Sequence, residues 1–377
     1  MRIRDLLADP DTAIVVCCGA GGVGKTTIAA ALALYAAEAG RRVAVLTIDP
    51  ARRLAQSMGL TELDNTPRAV PGIDTGAGGS LDAMMLDMKR TFDEVVQTHT
   101  TPEKAEQILR NPFYEALSSS FAGTQEYMAM EKLGQLYLQR HADGGRSWDL
   151  IVVDTPPSRS ALDFLDAPKR LGSFLDGRFI RLLLAPAKAG GRVYLKVIST
   201  GVQLASTAMF KILGSQLLSD VQNLVSALDT MFGGFRERAD QTYALLQQQG
   251  TAFLVVASPE RDALREAGYF IERLAADGMP LAGLIVNRMA HTRAAHLAPA
   301  TAATAADILA EMGGRDTTQG VLRLHADLSG IAERQHALVE RFLDAHPGVP
   351  VARVPAAAQD IHDLVSLRDI GSALTAE

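Results

Sequence analysis

The chain alternates two kinds of hydrophobic pattern. Short unbroken apolar runs, Ala13–Cys18, Val43–Ile48, Leu150–Val153, Ala252–Ala257 and Leu281–Val286, are bounded by turn-forming or charged residues, as expected of strands buried on both faces of a parallel sheet. Leu81–Asp87 reads as an edge strand, and the VPVARVP stretch ending at Pro355 as a last short strand. Between the runs, apolar residues recur every three or four positions. An alanine-rich helix runs toward Gly40, and Met88–His141 carries Phe92, Val95 and Val96, then Met130, Leu133, Leu136 and Tyr137, at helical spacing. Pro168–Gln249 is a second helical block with one apolar stripe, Leu213, Leu217, Val221, Leu224, Val225, Leu228, Met231 and Phe232. Further helices are expected at Ala263–Asp277, Ala294–Gly313, Leu328–Ala345 and Asp360–Ala373, with Leu60–Ser80 as a loop. The pattern predicts an α/β fold: a doubly wound, mostly parallel sheet with an inserted helical subdomain. Its core would comprise residues 1–87, 148–167 and 250–377, interrupted by helical insertions at 88–147 and 168–249.

The first strand leads into Gly19-Ala20-Gly21-Gly22-Val23-Gly24-Lys25-Thr26, a G-x-x-x-x-G-K-[ST] phosphate-binding loop. A polyphosphate needs backbone N–H groups turned inward around it, and glycines allow that curl at low cost. The helix opening near Lys25 offers a positive dipole end, Lys25 a cation for β/γ-phosphates, and Thr26 a hydroxyl for Mg²⁺. Asp49 ends the second strand, beside the loop, where ligands of doubly wound sheets bind. Asp154 directly follows the strand at 150–153, the arrangement of an acid that holds Mg²⁺ through water.

Composition narrows the partners. The 377 residues are 47% hydrophobic and 21% charged, with a formal net charge of −6 that argues against a nucleic-acid backbone as main partner. The acidic N-terminus does not resemble a secretory signal, and no apolar run reaches the length of a membrane span, so a soluble, cytoplasmic protein is expected. The only cysteines, Cys17 and Cys18, are adjacent in the strand feeding the loop and read as core residues.

GAGGVGKTT, TIDPARRLAQSMGL, DTPPSRSALDFL and LIVNRM, in this order, resemble the arsenite-pump-type ATPases, a family that also includes the ATPases targeting tail-anchored membrane proteins, within the deviant-Walker-A class. The resemblance runs from Ile14 to about Leu374 and implies ATP and Mg²⁺ as cofactors. It assigns phosphate binding to Gly21, Gly22, Val23, Gly24, Lys25, Thr26 and Thr27, with Gly19 opening the loop. Asp49, in the switch I stretch, would polarise the attacking water near the metal, and Asp154 would be the switch II acid on the Mg²⁺ shell. Asn287 matches the adenine-reading asparagine, and Pro355 begins the adenine loop; read without the family, Asn287 is a strand-closing turn residue.

Three departures shape the functional reading. Neither thiolate ligands for arsenite nor a CxxC pair for zinc is present, which discounts metalloid pumping and a structural zinc. Switch I reads DPARR, placing Arg52 and Arg53 near the phosphates, and Ala20 stands where the class carries its signature lysine. The expected function is a dimeric Mg-ATPase switch coupled to a hydrophobic client, with Met84, Met85, Met128, Met130, Met209 and Met231 as adaptable apolar contacts. The alternative is a regulatory or scaffolding ATP-binding subunit. Because Ala20 supplies no cation, a heterodimer with a paralogous ATPase is favoured over a homodimer; Arg52 or Arg53 as substitute cation and a slow homodimer are the competing accounts.

Overall fold

The computed structural model describes residues 2–49, 53–111, 114, 124–141, 144–156, 234 and 237–376. In chain order these form α1 (Ile3–Ala8), β1 (Ile14–Gly19), α2 (Lys25–Glu38), β2 (Arg42–Thr47), α3 (Arg53–Ser57), β3 (Arg68–Ala69), β4 (Ser80–Met85), α4 (Met88–His99), α5 (Pro102–Leu109) and α6 (Thr124–Leu138). They continue with β5 (Leu150–Asp154), β6 (Thr251–Ala257), α7 (Arg261–Ala276), β7 (Leu281–Met289), α8 (Pro299–Glu311), α9 (Asp316–Ala345), β8 (Val351–Pro355) and α10 (Leu364–Thr375). The chain divides into two compact units: Met1–Met85, Gln139–Leu162 and Leu245–Glu377 form one, Leu86–Leu138 and Asp163–Ala244 the other.

The first unit holds an eight-stranded sheet in the order β3-β4-β2-β5-β1-β6-β7-β8, parallel throughout except for the β3–β4 pair. This is the expected α/β fold. Strands β1, β5 and β6 are buried at every position, as their unbroken apolar runs predict. One face, through Val15, Val43, Val45, Val152, Leu254 and Val354, packs into a cluster with α2 and with Leu367, Ile370 and Leu374 of α10. Helix α2 lies between sheet and α10, which is why ten of its fourteen residues are buried and its sequence lacks a polar face. On β1, β6 and β7 packs α7.

Two sequence expectations are corrected. The strand expected at Leu81–Asp87 is not the sheet edge: β4 pairs with β2 on one side and with the two-residue β3, inside the supposed loop, on the other. The helix expected at Leu328–Ala345 begins at Asp316, twelve residues earlier, because Asp316 opens a first turn directly after the Gly313-Gly314 break.

The second unit contains α4, α5 and α6, with α4 packed on both others. Asp87 caps α4 by accepting from Arg90 N–H at 2.9 Å, and Thr101 with Pro102 starts α5. Inside it Glu131, 3% exposed, accepts from Arg238 Nε and from the Tyr127 hydroxyl, both at 3.0 Å. Met128 and Met130 are fully buried here, as is Met84 in the sheet, so these three serve as core packing and not as a contact surface. Met209, Met231 and the stripe from Leu213 to Phe232 lie outside the described residues.

Candidate functional site

All the parallel strands end on one side of the sheet, and the residues singled out from the sequence sit at those ends. The β1 strand runs out at Gly19, where φ is +146° and a Cβ would stand 2.1 Å from the Val256 carbonyl oxygen, so the loop must start on glycine. It closes at Gly24, whose φ of +93° caps α2; a Cβ there would meet Asn287 Nδ2 at 2.4 Å. Within the loop, Lys25 is 5% exposed and its Nζ donates to the Ala20 carbonyl at 2.7 Å. Burial lowers its pKa from the ordinary lysine value, and the Asp154 carboxylate is the strongest opposing influence.

Asp154, the last residue of β5, is fully buried and forms the junction of the site. Its Oδ2 accepts from the Thr26 hydroxyl at 2.8 Å and from the Thr47 hydroxyl at 2.9 Å. Its Oδ1 has no hydrogen-bond partner. Burial pushes the carboxyl up to about 6, against the two hydroxyl donors and Lys25, which pull it down. An orphaned, buried carboxylate oxygen is costly unless a ligand uses it. A hydroxyl and a carboxylate at the head of a phosphate loop are the hard oxygen donors Mg²⁺ takes, directly or through water, so the residues fit that ion.

The site continues in a cleft of about 360 Å³ lined by Gly24, Lys25, Thr26, Thr27, Asp49 and Arg53, with Gly22, Gln56, Ser57, Arg288, Ile361 and His362 completing it. Asp49 is 8% exposed, and its backbone N–H donates to the Thr47 hydroxyl at 3.2 Å. Arg53, at the first position of α3, lies on the cleft; Arg52 falls outside the described residues. Asn287 is 6% exposed, donates Nδ2 to the Val23 carbonyl at 2.9 Å and accepts from Arg288 N–H at 2.9 Å. It therefore braces the phosphate loop while keeping one donor and one acceptor position in reserve. Pro355 ends β8 opposite Met289, and Ala356 N–H donates to the Met289 carbonyl, so the stretch expected to form the adenine loop begins at the site's border. Gly21 and Ala20 complete the loop, Ala20 being 7% exposed.

Several site residues escape a reading of the sequence. Thr47 is signalled by being the last residue of its strand, two before Asp49. Arg288 adopts φ +62°, a left-handed conformation uncommon outside glycine, directly after Asn287. For Ile361 and His362 the chain offers no cue, since only the fold brings them to the cleft. Cys17 and Cys18 are fully buried in β1; burial raises both thiols, Cys18 to about 12, so they remain protonated core side chains.

A family profile described as Anion-transporting ATPase matches residues 12–302. The chain belongs to this family. Among individual relatives it is 28% identical to "Protein Rv2184c" of Mycobacterium tuberculosis over 72% of this chain and 57% of that protein. It is 25% identical to "ATPase ARSA2" of Chlamydomonas reinhardtii, over 72% of this chain and 66% of the relative. With "ATPase BagA" of Mycobacterium tuberculosis it shares 27% identity over 42% of this chain and 46% of the relative. The chain thus spans between about half and two thirds of these relatives' lengths. The resemblance to arsenite-pump-type ATPases holds, and with it ATP binding and ATPase activity as properties of the family. No helix among the described residues is long and apolar enough to cross a membrane.

Proposed function

We propose that this chain binds Mg-ATP in the cleft at the head of α2 and hydrolyses it to ADP and phosphate as one half of a dimeric nucleotide switch. The observation that carries the reading is Asp154: fully buried, joined to the phosphate-loop Thr26 and to Thr47 of β2, with Oδ1 unpartnered. Lys25, now closed onto the Ala20 carbonyl, would exchange that acceptor for β/γ oxygens, a charge-assisted bond in place of a neutral one. Thr26 and Asp154 would hold the Mg²⁺ shell. Bound there, the ion would supply charge neutralisation to the phosphates. Asp49 would orient the attacking water toward phosphorus, and Asn287 and Pro355 would border the base. Phosphoryl transfer to water needs positioning and charge stabilisation more than covalent help, which suits this residue set. The test is phosphate release by the purified chain against Lys25→Ala; equal rates in both would refute it.

One observation favours a second reading. Ala20 is buried in the loop and brings no cation, so a two-chain site built from identical copies lacks one charge that the wider class supplies. A regulatory ATP-binding subunit paired with a paralogous ATPase accounts for that. Turnover that rises when the paralogue is added, with a mixed dimer by native mass spectrometry, supports it; full activity of the lone chain removes it.

A further inference from the structure

Strand β7 is irregular where it reaches the cleft. Val286 pairs with Arg353 of β8 and Met289 with Pro355, so β7 advances three residues where β8 advances two, and one extra residue bulges from the ladder. At the bulge Arg288 has φ +62°, the one positive φ outside glycine among the described residues. A Cβ makes that conformation costly, and it persists only where neighbouring groups impose it. Asn287 does so: its Oδ1 accepts the Arg288 N–H at 2.9 Å while its Nδ2 donates to the Val23 carbonyl at 2.9 Å, which ties the kink to the phosphate loop. The strain has a visible product. Between the buried Asn287 and Met289, Arg288 is exposed and lines the cleft beside Gly22, Gly24, Lys25 and Thr26. Glycine would adopt the same backbone without strain but would bring no side chain to the cleft.

We propose that the bulge exists to deliver Arg288 to the phosphate chain of the bound nucleotide, a role that rests on the nucleotide site proposed above. The guanidinium enters no hydrogen bond or ion pair among the described residues, so its donors are available to a ligand. Its planar fork matches two phosphate oxygens, and the bonds would be charge-assisted. A guanidinium can also lie on the face of a base. The neighbours decide between the two, because the glycines, Lys25 and Thr26 that share this wall of the cleft all belong to the phosphate loop. Lys25 is buried inside the loop, whereas Arg288 stands exposed on the cleft wall, so the two cations reach the phosphates from different elements, α2 and β7. Asn287 then has two tasks, holding the loop through Val23 and holding the backbone that aims Arg288.

The test is calorimetric titration of the full chain with ATP and with ADP, in Mg²⁺, at low and at high salt. Arg288→Gly and Arg288→Ala should each weaken both nucleotides at least about 10-fold, the loss of one charge-assisted contact, and should flatten the fall of affinity with salt. Arg288→Lys keeps the charge and should lose less than Arg288→Gly. Thermal unfolding without nucleotide reads the strain separately: Arg288→Gly should melt above Arg288→Ala, the reverse of the order at an ordinary strand position. Four results would overturn the proposal while leaving the nucleotide site standing. They are an Arg288→Gly affinity within about twofold of the parent, a loss whose salt dependence is unchanged as for a contact with the base, equal losses in the lysine and glycine variants, and an alanine variant that melts as high as the glycine one. A parent that binds neither nucleotide removes the site and this role together.

Discussion

Asp154→Asn should stabilise the nucleotide-free protein at high pH while removing its response to Mg-ATP. Burial holds the native carboxyl at about 6, roughly two pH units above an unfolded aspartate. An acid whose pKa is raised on folding costs nothing below the unfolded value, because both states are then protonated. The cost grows as pH rises through the interval up to the folded value, where the unfolded chain has released a proton that the native chain retains. Two units correspond to about 3 kcal/mol at pH 8, of which about half is already present at pH 5. Asparagine accepts from Thr26 and Thr47 as the carboxylate does but leaves an amide N–H₂ at the unpartnered Oδ1 position, a penalty of about 1–3 kcal/mol that does not vary with pH. The absolute gain is therefore small, and the informative quantity is its change: between pH 5 and pH 8 the variant's advantage should widen by about 1–2 kcal/mol, a few degrees in Tm for a unit of this size. Saturating Mg-ATP should then reverse the order, raising the parent's Tm and not the variant's. Thermal unfolding at the two pH values, with and without Mg-ATP, measures all of this. An advantage that shrinks as pH rises, or equal Mg-ATP stabilisation of both proteins, would refute the reasoning.

Lys25→Ala should weaken ATP binding at least about 100-fold by calorimetry, since it deletes the cation facing the most charged phosphates; unchanged affinity would remove the phosphate-loop assignment. Asp49→Asn should bind ATP within about threefold of the parent and lose at least about 100-fold in turnover, as a water-orienting carboxylate requires, and parental phosphate release would exclude that role. Gly19→Ala drives a Cβ to 2.1 Å from the Val256 carbonyl oxygen in a backbone conformation with φ +146°, so a loss of at least about 3 kcal/mol in urea unfolding is expected. A loss under about 1 kcal/mol would mean that β1 and β6 are not held this closely.

The sheet was legible because strands buried on both faces are written as unbroken apolar runs, and four of the five runs named first reappear as β1, β2, β5 and β6 within a residue of the expected bounds, while β7 extends three residues further to Met289. The edge was not legible. Only pairing decides that Arg68 and Ala69 lie outside β4, and two residues carry no period. Chemistry written in consecutive residues, such as Lys25-Thr26 or Asp154 at a strand end, was readable for the same reason that motifs exist: one local backbone shape places several groups at once. Arg288, Ile361 and His362 reach the cleft through tertiary packing of β7 and the segment after β8, which leaves no local pattern. The methionines misled, since a thioether in an apolar pattern looks the same whether it faces solvent or core, and Met84 on β4 and Met128 and Met130 on α6 face the core.

The hydrogen bonds around Asp154 also bear on how a nucleotide could be felt beyond the cleft. Thr26 belongs to the helix that follows β1 and Thr47 to the end of β2, yet both hydroxyls donate to one carboxylate oxygen on β5. Each hydroxyl has a single proton, so donation to Asp154 leaves only oxygen lone pairs for other ligands. Thr26 would therefore keep its bond to Asp154 while offering an oxygen lone pair to a cation, and Asp154 would keep its unpartnered Oδ1 for the same use. Thr47, in turn, accepts the backbone N–H of Asp49 through that same oxygen. Thr26 at the head of α2, Thr47 at the end of β2 and Asp154 at the end of β5 thus form one polar unit, in which a single carboxylate joins the phosphate loop to the backbone that carries Asp49.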